Sequence, residues 1–150
     1  MGFPLPSPMR LALELALRAA ERGEVPVGAV ITRGDEVVAT AANRMRCAAD
    51  PTAHAEIEVI RAASAQLGAQ RLDECDLYVT LEPCAMCAGA ISHARLRRLY
   101  YAAEDPKGGA VAHGPRFFGQ PTCHHRPEIY GGIGEADAAA MLRTFFRERR

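Results

Sequence analysis

Two short segments of the sequence bring metal-ligating side chains close to a carboxylate. His54 is followed two residues later by Glu56, and Cys84, directly after Pro83, is followed three residues later by Cys87. Residues three apart share one face of a helix, so both thiols can bind the same ion. A helix N-terminus also stabilises the thiolate, which is the form that ligates metal. The spacing therefore predicts a metal site that includes both cysteines.

His54 would complete a ligand set of two cysteines and one histidine. Three protein ligands with an open fourth position are typical of catalytic zinc, whereas structural zinc is usually closed by four ligands. Zinc can lower the pKa of a bound water to about 7, and Glu56 can take and return the remaining proton. This is general acid–base chemistry suited to the hydrolytic replacement of an amine. A structural site would instead need a fourth ligand, for which the candidates are Cys47, Cys75 and Cys123.

The surrounding pattern predicts the elements that position these residues. Helices are expected at residues 8–22, 53–67, 83–94 and 135–149, and strands at 25–32, 36–42, 76–81, 96–102 and 128–130, with a long loop at 104–126. Both motifs then fall at helix starts. A β-hairpin followed by alternating helices and strands indicates an α/β fold, in which residues 76–102 form a parallel strand–helix–strand unit.

Two helices carry more specific expectations. The first has apolar residues on two sides, which indicates that it is covered twice, with a second subunit as one candidate cover. The expected inner stripe of the second helix consists of Ile57, Ile60, Ser64 and Leu67.

Length and composition set the broad class. The 150 residues suit one domain, 1–150, with a frayed Pro-rich start at 1–7. The formal net charge is zero, so any nucleic-acid-binding surface must be local. Five cysteines, an odd number, favour a reducing compartment, and we expect a cytoplasmic protein. No apolar run approaches the roughly 20 residues of a membrane span, and we expect neither a membrane segment nor a signal peptide.

The order His-x-Glu followed by Pro-Cys-x-x-Cys matches the signature of zinc deaminases. The sequence also resembles the bacterial tRNA-specific adenosine deaminases, through residues 24–30, 43–44, 52–56, 77–90, 105–110 and 145–147. The zinc core is shared with cytosine, guanine and cytidine deaminases. The segment ending at Ala90 and the loop beginning Asp105-Pro106-Lys107 are more specific to the tRNA enzymes.

This resemblance implies a three-layer αβα sandwich of the cytidine-deaminase type, with a mixed sheet of about five strands. It implies a homodimer with one zinc ion per subunit. It also implies that the protein converts adenosine to inosine at the first anticodon (wobble) position of tRNA, by Glu56-assisted attack of zinc-bound water on adenine C6. By the same resemblance Asn43 hydrogen-bonds the target nucleoside, the Ala55 backbone lies against the reacting base, and Asp105 and Lys107 line the RNA side of the pocket.

Residues 113–125 depart from the family pattern, with His124 in place of the usual asparagine. This departure keeps open an alternative, a deaminase of free nucleobases or nucleosides of the guanine, cytosine or cytidine type. A third hypothesis is a zinc-stabilised RNA-binding domain without catalysis, against which the presence of Glu56 argues. Cys123, His124 and His125 are either a second metal site or surface loop residues, and their spacing favours the loop.

Overall fold

The computed structural model describes residues 4–149, so the first three residues of the frayed start expected at 1–7 lie outside the described part. The expectation is wrong for Leu5, which packs against the core, and for Ser7, which begins the first helix. Its helices are α1 (Ser7–Glu21), α2 (Ala55–Leu67), α3 (Ala85–Ala94) and α4 (Glu135–Glu148). Its strands are β1 (Gly28–Arg33), β2 (Glu36–Ala42), β3 (Cys75–Leu81), β4 (Arg98–Ala103) and β5 (Glu128–Tyr130), with a 3-10 turn at Phe117–Gly119. The predicted order of helices and strands is confirmed.

The five strands form one mixed sheet in the order β2-β1-β3-β4-β5. Strand β1 is antiparallel to both of its neighbours. Strands β3 and β4 pair in parallel, as do β4 and β5. The parallel pairing across α3 confirms the predicted strand–helix–strand unit, and a connection of this type brings the start of α3 to the end of β3.

Helices cover both faces of the sheet, which makes the fold a three-layer αβα sandwich, as predicted. Along β1, Ala29 and Ile31 join one apolar cluster with residues of α2 and α3, while Val30 joins a second cluster with residues of α1 and α4. This alternation follows from the two-residue period of a strand. Burying a side chain of the size of Val30 or Ile31 contributes about 1.5–3 kcal/mol to stability, compared with leaving it exposed.

Helix α1 packs unusually close to β1 because a glycine lies between them. A Cβ atom on Gly28 would lie 2.0 Å from the carbonyl oxygen of Ala12 and 2.9 Å from the amide nitrogen of Ala16. The backbone N–H of Gly28 also donates to Thr80 Oγ1 of β3 at 3.1 Å. The second apolar side of α1 is covered in part within the chain, since Leu11 and Leu15 pack in the same cluster as residues of α4.

The predicted inner stripe of α2 is wrong. The buried residues are Ala55, Glu56, Val59 and Ala63. The residues expected inside (Ile57, Ile60, Ser64 and Leu67) are all only partly buried. Ala55, Val59 and Ala63 face the core cluster, while Ile60 and Leu67 pack against its edge.

Within residues 4–149, no helix is both long enough and apolar enough to cross a membrane.

Candidate metal and active site

The three predicted metal ligands lie together. His54 Nδ1 is 3.7 Å from Cys84 Sγ and 3.5 Å from Cys87 Sγ. With zinc–sulfur bonds of about 2.3 Å and zinc–nitrogen bonds of about 2.0–2.1 Å, a tetrahedral ion separates such ligand atoms by about 3.5 Å. The side-chain geometry therefore fits a tetrahedral zinc ion.

Two helix starts bring these ligands to one point. His54 is the N-cap of α2 and Cys84 is the N-cap of α3, both with extended backbone, while Cys87 lies one turn inside α3. The prediction that helix α3 begins at Pro83 is off by two residues, because Cys84 keeps the extended conformation of a cap. The positive ends of both helix dipoles point at the ligands, which favours thiolates.

The two thiols behave as a pair that shares one proton. The hydrogen bond from Cys87, followed by its backbone N–H and the His54 charge, lowers the pKa of the Cys84 thiol to about 5 although burial opposes this. The neighbouring Cys84 sulfur, and then burial, raise the pKa of the Cys87 thiol. A divalent cation would displace the shared proton, because a coordinated thiol is deprotonated.

No fourth ligand joins this cluster from the described residues, 4–149, in which His54, Cys84 and Cys87 are the only group of three or more metal-ligating side chains. The candidates for a fourth ligand lie elsewhere. Cys47 is exposed, Cys75 is buried at the start of β3, and Cys123 contacts Ser92 Oγ at 3.7 Å. A set of three protein ligands is the arrangement of catalytic zinc.

Glu56 lies beside the ligand cluster in the first turn of α2. Its side chain is almost fully buried, with 4% of the residue exposed. Burial first, and then the charge of Cys84, raise its pKa to about 7. A carboxyl group that titrates near neutral pH can both accept and release a proton, which is the requirement for a general acid–base residue.

The ligands open into a cavity of about 240 Å³. The lining residues include the ligand His54, the acid–base residue Glu56, apolar side chains and polar side chains from three loops; they are Val25, Val27, Asn43, Met45, His54, Glu56, Leu81, Glu82, Cys84, Asp105 and Gly108. Apolar walls with a few convergent polar groups are typical of a small-molecule or single-base pocket.

Comparison with known proteins assigns the chain to a family. A model of MafB19-like deaminases matches residues 6–150. The chain belongs to the MafB19-like deaminase family. The tRNA-specific adenosine deaminase of Agrobacterium fabrum is 61% identical over 142 residues, which are 95% of this chain and 93% of that protein. The sequence-based resemblance to tRNA-specific adenosine deaminases is confirmed by this match.

Solved structures agree with the family and the fold. A structure from a study of A-to-I editing by tRNA:A34 deaminases at the wobble position matches with a TM-score of 0.89 and 59% identity, over 91% of this chain and 99% of that chain. A guanine deaminase from Bacillus subtilis matches with a TM-score of 0.64 and 43% identity, over 65% of this chain and 63% of that chain. The predicted deaminase fold is confirmed.

In this MafB19-like deaminase, Asn43 and Ala55 are joined to each other. The Asn43 Oδ1 atom accepts the backbone N–H of Ala55 at 2.8 Å, and its Nδ2 donates to the Val25 carbonyl at 3.2 Å. Asn43 lines the cavity, whereas Ala55 is fully buried at the start of α2. Asn43 therefore ties the N-terminal end of α2, and with it His54, to the pocket wall.

The Asp105 side chain folds its own loop. Its Oδ1 atom accepts the backbone N–H groups of Lys107 at 3.2 Å and Gly108 at 3.0 Å. Asp105 and Gly108 line the cavity, while Lys107 is exposed and is not among the lining residues. The structure thus brings Asn43 and Asp105 to the pocket and places Lys107 at the outer surface of the same turn.

Two buried glutamates beside the pocket were not singled out from the sequence. Glu24 accepts the backbone N–H groups of Arg46 at 3.1 Å and Cys47 at 2.8 Å. Burial alone would raise the Glu24 pKa, but these two N–H groups outweigh it and the pKa lies below its ordinary value. Glu82 accepts backbone N–H groups from the loop that contains Asp105 and residues 111–113. Burial opposes ionisation there too, yet the N–H groups of that loop and His113 lower the Glu82 pKa.

The segment Cys123-His124-His125 anchors the long loop to the far end of α3. His125 Nε2 contacts the carbonyl oxygen of Leu96 at 2.6 Å, and Cys123 Sγ contacts the His125 carbonyl at 3.2 Å. His124 is exposed. The Cys123 thiol and the His125 ring thus make contacts within the chain, and the choice between loop residues and a second metal site stays a prediction.

Proposed function

We propose that this protein is a zinc-dependent hydrolase that converts adenosine to inosine at the first anticodon position of tRNA. The main support for this chemistry is that His54 Nδ1 and two cysteine sulfurs lie at distances that suit tetrahedral zinc, next to the buried Glu56. The observation that supports the substrate is the 61% identity to a tRNA-specific adenosine deaminase over nearly the whole chain.

The three ligands would hold one zinc ion per subunit. Bound there, zinc would supply Lewis-acid chemistry, which lowers the pKa of water enough for attack on an aromatic carbon at neutral pH. Nδ1 of His54 faces the sulfurs, so with Nδ1 as the ligand atom the ring proton would lie on Nε2.

Glu56 moves the protons. Its carboxylate takes one proton from the attacking water and delivers it to N1 of adenine as oxygen bonds to C6. It then transfers the second water proton to the amino nitrogen on C6, the C–N bond breaks, and ammonia leaves. The products are inosine and ammonia, so atoms and charge balance. Burial of Glu56 excludes bulk water from this exchange.

Four residues are proposed to recognise the target nucleotide. Asn43 would hydrogen-bond the nucleoside with the second N–H of its amide, because the first is used by the Val25 carbonyl. The Ala55 backbone would lie against the reacting base. Asp105 and Lys107 would form the RNA side, with Lys107 free to meet a phosphate at the surface. A base flipped from a single-stranded anticodon loop can enter such a pocket for a few kcal/mol or less.

We further propose that residues 1–150 form a single deaminase domain that acts as a homodimer in the cytoplasm. Leu17 of α1 is 52% exposed on one side of the sheet and Met86 of α3 is 39% exposed on the other, and a partner copy on either side would cover one of them.

The decisive experiment incubates zinc-loaded protein with an anticodon stem-loop that carries adenosine at its first anticodon position, and separately with free adenosine, adenine, guanine, cytosine and cytidine. We expect inosine in the stem-loop only. Glu56→Gln keeps the size of the side chain and should retain zinc, while its turnover falls by about 100-fold or more because the acid–base group is lost.

Turnover of a free base with an unreacted stem-loop would contradict the tRNA substrate and favour the alternative of a free-nucleobase or nucleoside deaminase. An active Glu56→Gln variant would contradict the assigned proton path.

A further inference from the structure

The carboxylate of Glu82 lies at the centre of the loop formed by residues 105–113, here called the 105–113 loop. Its Oε1 atom accepts the backbone N–H of Asp105 at 3.0 Å and meets His113 Nδ1 at 2.8 Å. Its Oε2 atom accepts three further backbone N–H groups, from Val111 at 3.1 Å, Ala112 at 3.0 Å and His113 at 3.2 Å. Successive backbone N–H groups that converge in this way form an anion-binding concavity.

The 105–113 loop packs tightly around the Glu82 carboxylate. The Glu82 side chain is 0% exposed. A Cβ atom on Gly109 would lie 2.5 Å from both Glu82 Oε2 and the Asp105 carbonyl oxygen. The loop is also bonded to Pro83, the residue after Glu82, because Ala110 donates its N–H to the Pro83 carbonyl at 2.9 Å.

Glu82 joins two parts of the active site. Along the chain it lies between β3 and the ligand Cys84, two residues away. In space it holds the loop that supplies Asp105 and Gly108 to the cavity wall. Because Glu82 is an acceptor for four backbone N–H groups and one ring N–H, its oxygens are occupied by protein donors and are not free for substrate.

We infer that Glu82 is a positioning residue, which sets the distance between the ligand-bearing turn at Cys84 and the substrate-contacting wall of the pocket, with His113 as its side-chain partner. The inference deepens the proposed function and rests on it for the choice of substrate. The expected consequence is specific. Losing the Glu82 carboxylate should loosen the 105–113 loop and weaken substrate binding, while the metal and the acid–base group stay in place.

The test compares three variants in the zinc-loaded protein. Glu82→Gln keeps the shape but turns an NH₂ group towards backbone N–H donors, so we expect KM for the stem-loop to rise about tenfold or more, with kcat changed less than about threefold. His113→Ala removes one of five donors and should raise KM less. His113→Gln restores a side-chain donor and should return KM towards the wild-type value.

Hydrogen exchange followed by mass spectrometry measures directly how well the backbone amides of the loop are protected. In Glu82→Gln the amides of residues 105–113 should exchange about tenfold faster or more, while those of α2 and α3 are unchanged. Glu24→Gln is the matched control, because it removes another buried carboxylate that binds backbone N–H groups. It should speed exchange at residues 46–47 and leave the 105–113 loop protected.

Two results would overturn the inference. One is a 105–113 loop that stays protected in Glu82→Gln. The other is loss of zinc or a fall in kcat with KM unchanged, which would assign Glu82 to the metal-binding turn instead. Failure of the proposed function looks different. If wild-type protein turns over a free base and not the stem-loop, KM is measured with that base; if it turns over nothing, hydrogen exchange alone decides the inference.

Discussion

Replacing Gly109 with alanine is expected to push the 105–113 loop away from the pocket. The new methyl group would lie 2.5 Å from the Asp105 carbonyl oxygen and 2.5 Å from the Glu82 carboxylate, against ordinary contacts of 3.4–4 Å. Each contact is therefore about 0.9 Å too short. One neighbour is backbone and the other is a fully buried carboxylate held by five donors, so neither can rotate away.

The size of the effect follows from this overlap. Overpacking of a well-packed site costs about 1–3 kcal/mol, and we expect about 2 kcal/mol here because two rigid groups are displaced at once. For a chain of this length that corresponds to a fall in Tm of about 4–8 °C. Asp105 and Gly108 move with the loop, so KM should rise while the zinc content stays at one equivalent.

Thermal unfolding and steady-state kinetics of the zinc-loaded variant check this prediction. Gly119→Ala is the matched control, because it lies in the same long connection and a Cβ atom there meets nothing within 4 Å. The control should keep the wild-type Tm and KM. A Gly109→Ala protein with an unchanged Tm and KM would show that the loop is not held tightly against Glu82, and the reasoning would fail.

Two further predictions concern the metal and the second buried glutamate. Cys87→Ala should lose zinc, as measured by elemental analysis, because a ligand is removed. Cys47→Ala alters an exposed thiol and should retain zinc. A full equivalent of zinc in Cys87→Ala would refute the ligand set. Glu24→Gln should lower the free energy of unfolding at pH 7 by about 1–3 kcal/mol, because backbone N–H groups lose a charged acceptor. Since the folded-state pKa of Glu24 lies below its ordinary 4.5, this stabilisation is present above that pH and is lost as pH falls through the folded pKa. Denaturant titrations at pH 7 and pH 3 that give the same difference from wild type would contradict it.

The ligand set could be predicted from the sequence because its geometry is local. A cysteine at a helix cap and another three residues later must share a face, wherever the helix lies in the fold. The hairpin partner β2 and the short strand β5 were likewise predicted with the boundaries that the structure shows. In these elements the pattern of neighbours along the chain determines the conformation.

One predicted boundary is wrong because the chain there lines the pocket and does not join the sheet. Residues 25–32 were predicted as a strand, but β1 begins at Gly28. Before it, the Val27 N–H bonds to the Val25 carbonyl at 2.8 Å, which is a tight turn and not a ladder contact. Val25 and Val27 are β-formers used as pocket wall, and nothing in their residue types distinguishes the two uses.

The structural role of the two buried glutamates could not be predicted, because their partners are distant in the sequence and are backbone groups. Glu82 binds backbone N–H groups that lie 23 to 31 residues further along the chain, and Glu24 binds two that lie 22 and 23 residues away. A backbone N–H has no sequence signature. A carboxylate directly after an apolar strand was the only visible signal at Glu82, and it fits a solvated loop equally well.

The use of backbone donors at Glu82 has a consequence for how the enzyme can change over time. Four of the five groups that meet this carboxylate are present whatever side chains occupy positions 105, 111, 112 and 113, proline excepted. Outward-facing residues of the loop can therefore be exchanged while its attachment persists. Such a loop can vary in what it recognises without loss of the catalytic centre, and new substrate preferences can arise one surface residue at a time.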